Sequence, residues 1–161
     1  MATEPPKFIL DSDLFPLCKA LRMLGFDALS RANLPPPKAL ECAIEERRVW
    51  IRFSSDDLNL QYGIRYFVVE HKEIAEQLRE LDAQLNLKET ADPLSLCLKC
   101  NCRIVEISKE SIQQRVPPRV YATFDHCYTC PQCHRIYWPG SHYQRMTAKL
   151  AAWGWKTEHG S

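Results

Sequence analysis

Cysteine is the residue type whose spacing carries chemistry in this chain. Cys97 and Cys100 form one C-x-x-C pair, and Cys130 and Cys133 form another. Each pair sets two thiolates on one tight turn. Two such turns close a tetrahedral S4 site, the arrangement suited to structural zinc. The 29 residues between the pairs, 101–129, exceed the about 15–20 of the commonest four-cysteine spacing, so a hairpin or two must fit between them. Two neighbours compete for the same role: Cys127 also stands three residues before Cys130, and Cys102 stands two after Cys100. Pro131, just inside the 130–133 pair, favours Cys133 over Cys127. Cys18 and Cys42 fall on the apolar faces of expected helices and read as buried free thiols. Neither pair sits between a strand and a helix of a βαβ unit, which argues against a thioredoxin-like redox role.

The compartment supports metal over disulfide. Of 161 residues, 45% are hydrophobic and 25% charged, the balance of an ordinary soluble globular chain. No apolar run reaches the ~20 residues that cross a bilayer, and the opening MATEPPKF has no signal-peptide core. The expected location is intracellular and cytoplasmic, with the nucleus open and no membrane partner. MATEPPKF also looks like a start supplied to a fragment of a longer chain.

Charge divides unevenly. Residues 1–94 carry 12 Lys and Arg against 16 Asp and Glu, a net −4; residues 95–161 carry 9 against 4, a net +5. The basic half places Lys99, Arg103, Lys109, Arg115, Arg119, Arg135, His142, Arg145 and Lys149 around or after the cysteine pairs. Tyr121, Tyr137, Trp138 and Tyr143 are interleaved with them. Phosphates attract Arg and Lys, and unstacked bases attract aromatic planes, so the mixture suits single-stranded RNA. Ser141 is expected to cap a last helix, 141–153, whose free N–H groups favour a phosphate beside His142 and Arg145. Ile136, Tyr137 and Trp138 read equally well as core of the cysteine-rich part.

The elements that must position these groups follow from periodicity. In the first half, strands are expected at 7–11, 27–29, 48–53 and 64–69. Asp13 is expected to cap a helix bearing Leu14, Leu17, Leu21 and Leu24 and stopped by Gly25. A second helix presents Ala39, Leu40, Ala43 and Ile44, and a third runs over 71–87; residues 54–60 form a turn or short helix. Alternation of this kind predicts an α/β fold with a parallel four-stranded sheet covered by helices. The pattern changes near Thr90–Pro93, dividing the chain into an α/β domain over 1–92 and a cysteine-rich part with a C-terminal helix over 93–161. Short strands are expected there at 103–107 and 120–124.

KFILDSDLFPLCKALRMLGFD, CLKCN, RVPPRVY and CPQCHRIYWPGSHYQRM together resemble the Mut-seven C-terminal RNase-like family, over nearly the whole chain. The resemblance implies a three-layer PIN-like domain followed by a zinc ribbon, with Cys97, Cys100, Cys130 and Cys133 as ligands. Members of that family stand alone in prokaryotes and are appended to DEDD-type 3′–5′ exoribonucleases of small-RNA pathways in animals. PIN-like nucleases gather carboxylates at the C-terminal ends of parallel strands to hold Mg²⁺ or Mn²⁺. The resemblance puts Asp11 in that role, with Asp13 and Asp56 (or Asp57) as neighbours. The chain departs from the pattern twice: Pro35–Lys38 stands where an acid usually opens the second helix, and Arg52-Phe53-Ser54 stands where Thr-Arg-Asp usually follows strand three.

These readings predict a zinc-stabilised RNA-binding accessory domain of a 3′–5′ exoribonuclease, without catalysis of its own. Its partners are single-stranded RNA and, if the sequence is a fragment, an exoribonuclease domain in the same chain. One alternative is a metal-dependent endoribonuclease using Asp11 and its neighbours. Another is an interaction module recruiting the chain to a ribonucleoprotein assembly, with the segment 86–95 as the natural docking place.

Overall fold

The computed structural model describes residues 4–53 and 63–157. The chain adopts the expected α/β architecture with a parallel four-stranded sheet. Strands β1 (Phe8–Leu10), β2 (Ala28–Ser30), β3 (Val49–Arg52) and β4 (Arg65–Val68) run in the order β2-β1-β3-β4, every pairing parallel. A parallel strand covered on both faces should be apolar on both, and β1 is wholly buried. Its Phe8 and Leu10 pack with helices α1 (Phe15–Met23) and α3 (Ile74–Leu85), through Leu17, Leu21, Leu78 and Leu81. Ile9 points the other way, toward Ala39 and Ala43 of α2 (Pro36–Glu45). The alternation of one tripeptide thus defines three layers.

Two local expectations are corrected here. Asp13 does not cap a helix: it lies exposed in a 3-10 turn, Ser12–Leu14, and α1 begins at Phe15 with Leu14 as its N-cap. The chain leaves β1 through that turn, closed by Leu14 N–H on the Asp11 carbonyl. Pro16 in the first turn of α1 needs no N–H partner. The third helix ends at Leu85, because Asn86 turns left-handed (φ 51°), and a separate short helix α4 (Leu87–Thr90) follows. The expected turn over 54–60 lies outside the described residues.

The segment after α4 is bound tightly to the end of α1. Asp92 N–H donates to the Leu24 carbonyl and Leu94 N–H to that of Met23. Gly25 makes this approach feasible: it holds φ +89°, and a Cβ there would stand 2.2 Å from the Asp92 carbonyl oxygen. The expected partner segment 86–95 is therefore largely folded against the domain, with Leu87 fully buried.

The cysteine-rich half forms an antiparallel sheet of β5 (Val105–Ile107), β6 (Cys127–Thr129) and β7 (Ile136–Tyr137), in that order. The strand expected over 120–124 is instead helix α5 (Pro118–Thr123). The run Val-Tyr-Ala-Thr-Phe is strand-like in composition, but Pro118 presets the first helical turn. Val120 and Tyr121 pack beside Ile112, Val116 and Cys127, and that packing overrides propensity. Helix α6 (Ser141–Ala152) returns to the first half, where Leu150 and Trp155 join the cluster around Phe8 and Leu10. Cys18 and Cys42 are buried as expected. No helix among the described residues is long and apolar enough to cross a membrane.

Candidate metal centre and its basic surround

The two C-x-x-C turns are built alike. In the first, Cys97 N–H donates to the Cys102 carbonyl and Asn101 N–H to that of Cys97; in the second, Cys130 N–H donates to the Arg135 carbonyl and His134 N–H to that of Cys130. Each turn ends in a left-handed residue, Asn101 at φ 57° and His134 at φ 63°. Each sits at a strand connection: an antiparallel bridge, Leu96 to Arg103, closes the first, and the β6–β7 hairpin carries the second.

Folding brings Cys97, Cys100, Cys130 and Cys133 together, with every ligand sulfur within 4.8 Å of the others. Four sulfurs each about 2.3 Å from a zinc-sized ion stand about 3.8 Å apart, and the Sγ atoms of Cys97 and Cys133 are 3.8 Å apart. The donor set fits a four-coordinate metal ion. Among the described residues it is the one group of three or more His, Cys, Asp or Glu side chains close enough to do so. Cys127 is elsewhere, 2% exposed in the cluster with Ile112 and Val116. Cys102 lies outside the four-sulfur set yet places its Sγ 3.2 Å from that of Cys130.

Electrostatics prepares the thiols unequally. Burial works to raise Cys130, but N–H groups of Cys133 and Gln132 and the Cys102 thiol converge on its sulfur and bring it down to about 6. Burial and the neighbouring Cys133, Cys130 and Cys97 push Cys100 up to about 12. Cys97 is lowered: burial opposes this, and the Tyr137 hydroxyl, donating at 3.0 Å, outweighs it together with the backbone N–H groups of Cys100 and Lys99. A thiol depressed from 9.0 to about 6 contributes stability that is complete above pH 9, declines as pH falls, and is gone below about 6. Protons also compete with metal for the other three sulfurs. Metal release to a colorimetric chelator is therefore expected to be far faster and more complete at pH 5 than at pH 7.5.

The first turn is pinned to the α/β domain. Asn101 accepts from Ala28 N–H at 3.0 Å through Oδ1 and donates to Asp27 Oδ1 at 2.6 Å through Nδ2. Arg22, 7% exposed, donates to the carbonyls of Ala28 and Leu98 at 2.8 Å each. Sequence reasoning singled out Asn101 only as a residue that follows such turns, and it missed Arg22; the signal for Arg22 was a lone cation on an otherwise apolar helix face.

The basic residues expected around the centre fall into several settings. Lys99 and Arg135 are exposed, one in or beside each turn. Arg115 donates to the His134 carbonyl at 2.6 Å, bracing the second turn. Arg103 pairs with Asp92 at 2.5 Å, and Lys109 lies 4.9 Å over the Tyr121 ring and 3.5 Å from Asp125. Arg119 is exposed on α5. His142, Arg145 and Lys149 follow helical spacing along α6, all exposed, with Lys149 6.0 Å from the Trp153 ring centre. Ser141 does not cap this helix: Gly140 is the N-cap, and no side chain bonds the first turn. A Cβ at Gly140 would stand 2.7 Å from the Trp138 indole nitrogen, so any other residue there must displace that ring.

Asp11 ends β1 at the C-terminal edge of the sheet, where the strand order reverses and ligands of such sheets bind. Its Oδ1 accepts from Trp50 Nε1 at 2.7 Å and its Oδ2 from Arg52 Nε at 2.8 Å. The Arg31 guanidinium lies 5.5 Å over the Trp50 ring. Asp56 and Asp57 lie outside the described residues.

The chain is an α/β protein with a four-stranded parallel sheet and a cluster of four cysteines toward its C-terminus. Residues 6–150 match the family model described as the Mut7-C RNAse domain, and the chain belongs to that family. The family description gives it an RNA-related, nuclease-associated role. No curated protein matches the chain.

Proposed function

We propose that the chain is a zinc-stabilised RNA-binding domain that adds substrate grip to a 3′–5′ exoribonuclease acting on small RNAs. The observation that carries this reading is the placing of cations about the four-thiol centre. Lys99 and Arg135 flank it from the two turns, and His142, Arg145 and Lys149 line α6 beyond it. Zinc is the metal that four thiolates in a closed set suit best; its role is to hold the two turns in register, and the chain's own cations meet the phosphates. In the same reading the Asp11 carboxylate, engaged by Trp50 and Arg52, serves the sheet edge.

The test is RNA binding by the purified chain across a salt series, with cleavage followed in the same tube in the presence of Mn²⁺ or Mg²⁺. Binding that weakens steeply with salt and leaves the RNA intact supports the proposal. Cleavage that disappears in Asp11→Asn overturns it in favour of a metal-dependent ribonuclease. The double variant Arg135→Glu with Arg145→Glu is expected to lower affinity by about tenfold or more and to flatten the salt slope by about 0.7 per lost phosphate contact. Its melting temperature and metal content should stay unchanged. Unaltered affinity would remove these two residues from the RNA face.

A further inference from the structure

A pocket of about 460 Å³ opens where the first cysteine turn, the β6–β7 hairpin and the start of α6 meet. Its volume lies within the about 300–1,000 Å³ of small-molecule sites. Four aromatic rings line it, from Tyr128, Tyr137, Trp138 and Tyr143, with Met146 and Leu96 among the apolar residues beside them; His142 lines it too, as do Arg103, paired with the Asp92 carboxylate at 2.5 Å, and His126, 2.9 Å from Glu106.

Two of the rings are held by contacts that the rest of the fold imposes. The Tyr137 hydroxyl donates to Cys97 Sγ at 3.0 Å, which ties that ring to the metal centre. Trp138 packs so closely on Gly140 that a methyl group there would meet its indole. Aromatic faces set in advance cost a ligand little ordering on binding. Tyr128 is the open side, 37% exposed.

We propose that this pocket receives one unstacked nucleobase of a single-stranded RNA, stacked on the aromatic rings, with its phosphate toward His142 at the start of α6. Several features select this occupant over an apolar peptide side chain. The pocket belongs to the half of the chain with net charge +5, 9 cations against 4 acids. Imidazole and guanidinium groups lie beside flat rings, and every base has a π-face that such rings accept. The inference deepens the RNA-binding reading above and rests on it.

The experiment compares two labelled oligonucleotides of equal length, one an ordinary single-stranded RNA and one in which consecutive nucleotides are abasic. The wild-type chain should bind the base-bearing strand more tightly. Tyr128→Ala should lower affinity for that strand by about 5- to 150-fold, the usual range for losing one base–aromatic stack. It should leave the abasic strand, the salt slope and the metal content unchanged. Should Tyr128→Ala lose its metal, Gly140→Ala replaces it, because it disturbs the pocket only by displacing Trp138 and is expected to act in the same direction. Equal affinity of wild type and variant for the base-bearing strand overturns the pocket assignment while the RNA-binding reading stands. A wild-type chain that binds neither strand overturns both.

Discussion

Replacing Cys130 by Ser should abolish metal binding and unfold the cysteine-rich half. Elemental analysis should fall from about one metal per chain to near none, and the near-ultraviolet signal of the ribbon tyrosines should collapse. Cys130 is where the centre converges: its sulfur receives N–H groups from Gln132 and Cys133, lies 3.2 Å from Cys102, and is the thiol brought down to about 6. Structural zinc supplies about 10–16 kcal/mol to finger-sized folds. That is comparable with the whole stability of an ordinary domain, about 5–15 kcal/mol, so little of the β5-β6-β7 sheet should survive. Cys127→Ser is the matched control. It buries a hydroxyl beside Ile112 and Val116 at a cost of about 1–3 kcal/mol, and the metal should stay. Metal lost from Cys127→Ser and retained by Cys133→Ser would show that the wrong partner of Cys130 has been assigned.

Asn101→Ala should loosen the ribbon from the α/β domain without removing the metal. The substitution deletes the acceptor of Ala28 N–H and the donor to Asp27, both across more than 70 residues of chain. It also places a Cβ residue that lacks Asn's local hydrogen bonding at φ 57°. An orphaned, part-buried N–H costs about 1–3 kcal/mol, and the left-handed backbone adds about 1–2 kcal/mol. The expected loss is about 2–5 kcal/mol in denaturant unfolding, with one transition separating into two as the halves uncouple. Asn101→Gly dissects the effect: it relieves the backbone and leaves the lost hydrogen bonds, so it should recover only the smaller part. If Asn101→Ala unfolds in a single transition at the wild-type midpoint, the pin through Asn101 contributes nothing to coupling, and Arg22 carries it together with the packing of Leu150 and Trp155.

What could be read in advance depended on the range of the interaction. The four strands and three main helices of the first half were legible because burial imposes period 2 or 3.6 on the sequence itself, as in Phe8-Ile9-Leu10 and Leu14, Leu17, Leu21. The four clustered cysteines were legible because a tight turn that could hold a metal sets two thiolates three residues apart. Where several local signals competed, reading failed. Val120–Phe124 has strand composition and forms a helix on Ile112 and Val116. Asp13 and Ser141 are good capping residues, each standing one place away from the actual N-cap, Leu14 or Gly140.

The sequence alone determined the α/β class, the parallel sheet and the two C-x-x-C pairs whose sulfurs lie close enough to hold a metal ion, since each is written in short-range spacing. Only the tertiary structure decided that Cys127 is core, that Asn101 and Arg22 join the two halves, and that Tyr137 and Trp138 line a shared pocket. Those outcomes depend on which distant backbone groups need partners, and on which side chain must be absent, as at Gly25 and Gly140, for two segments to touch. Spacing along the chain carries no record of either.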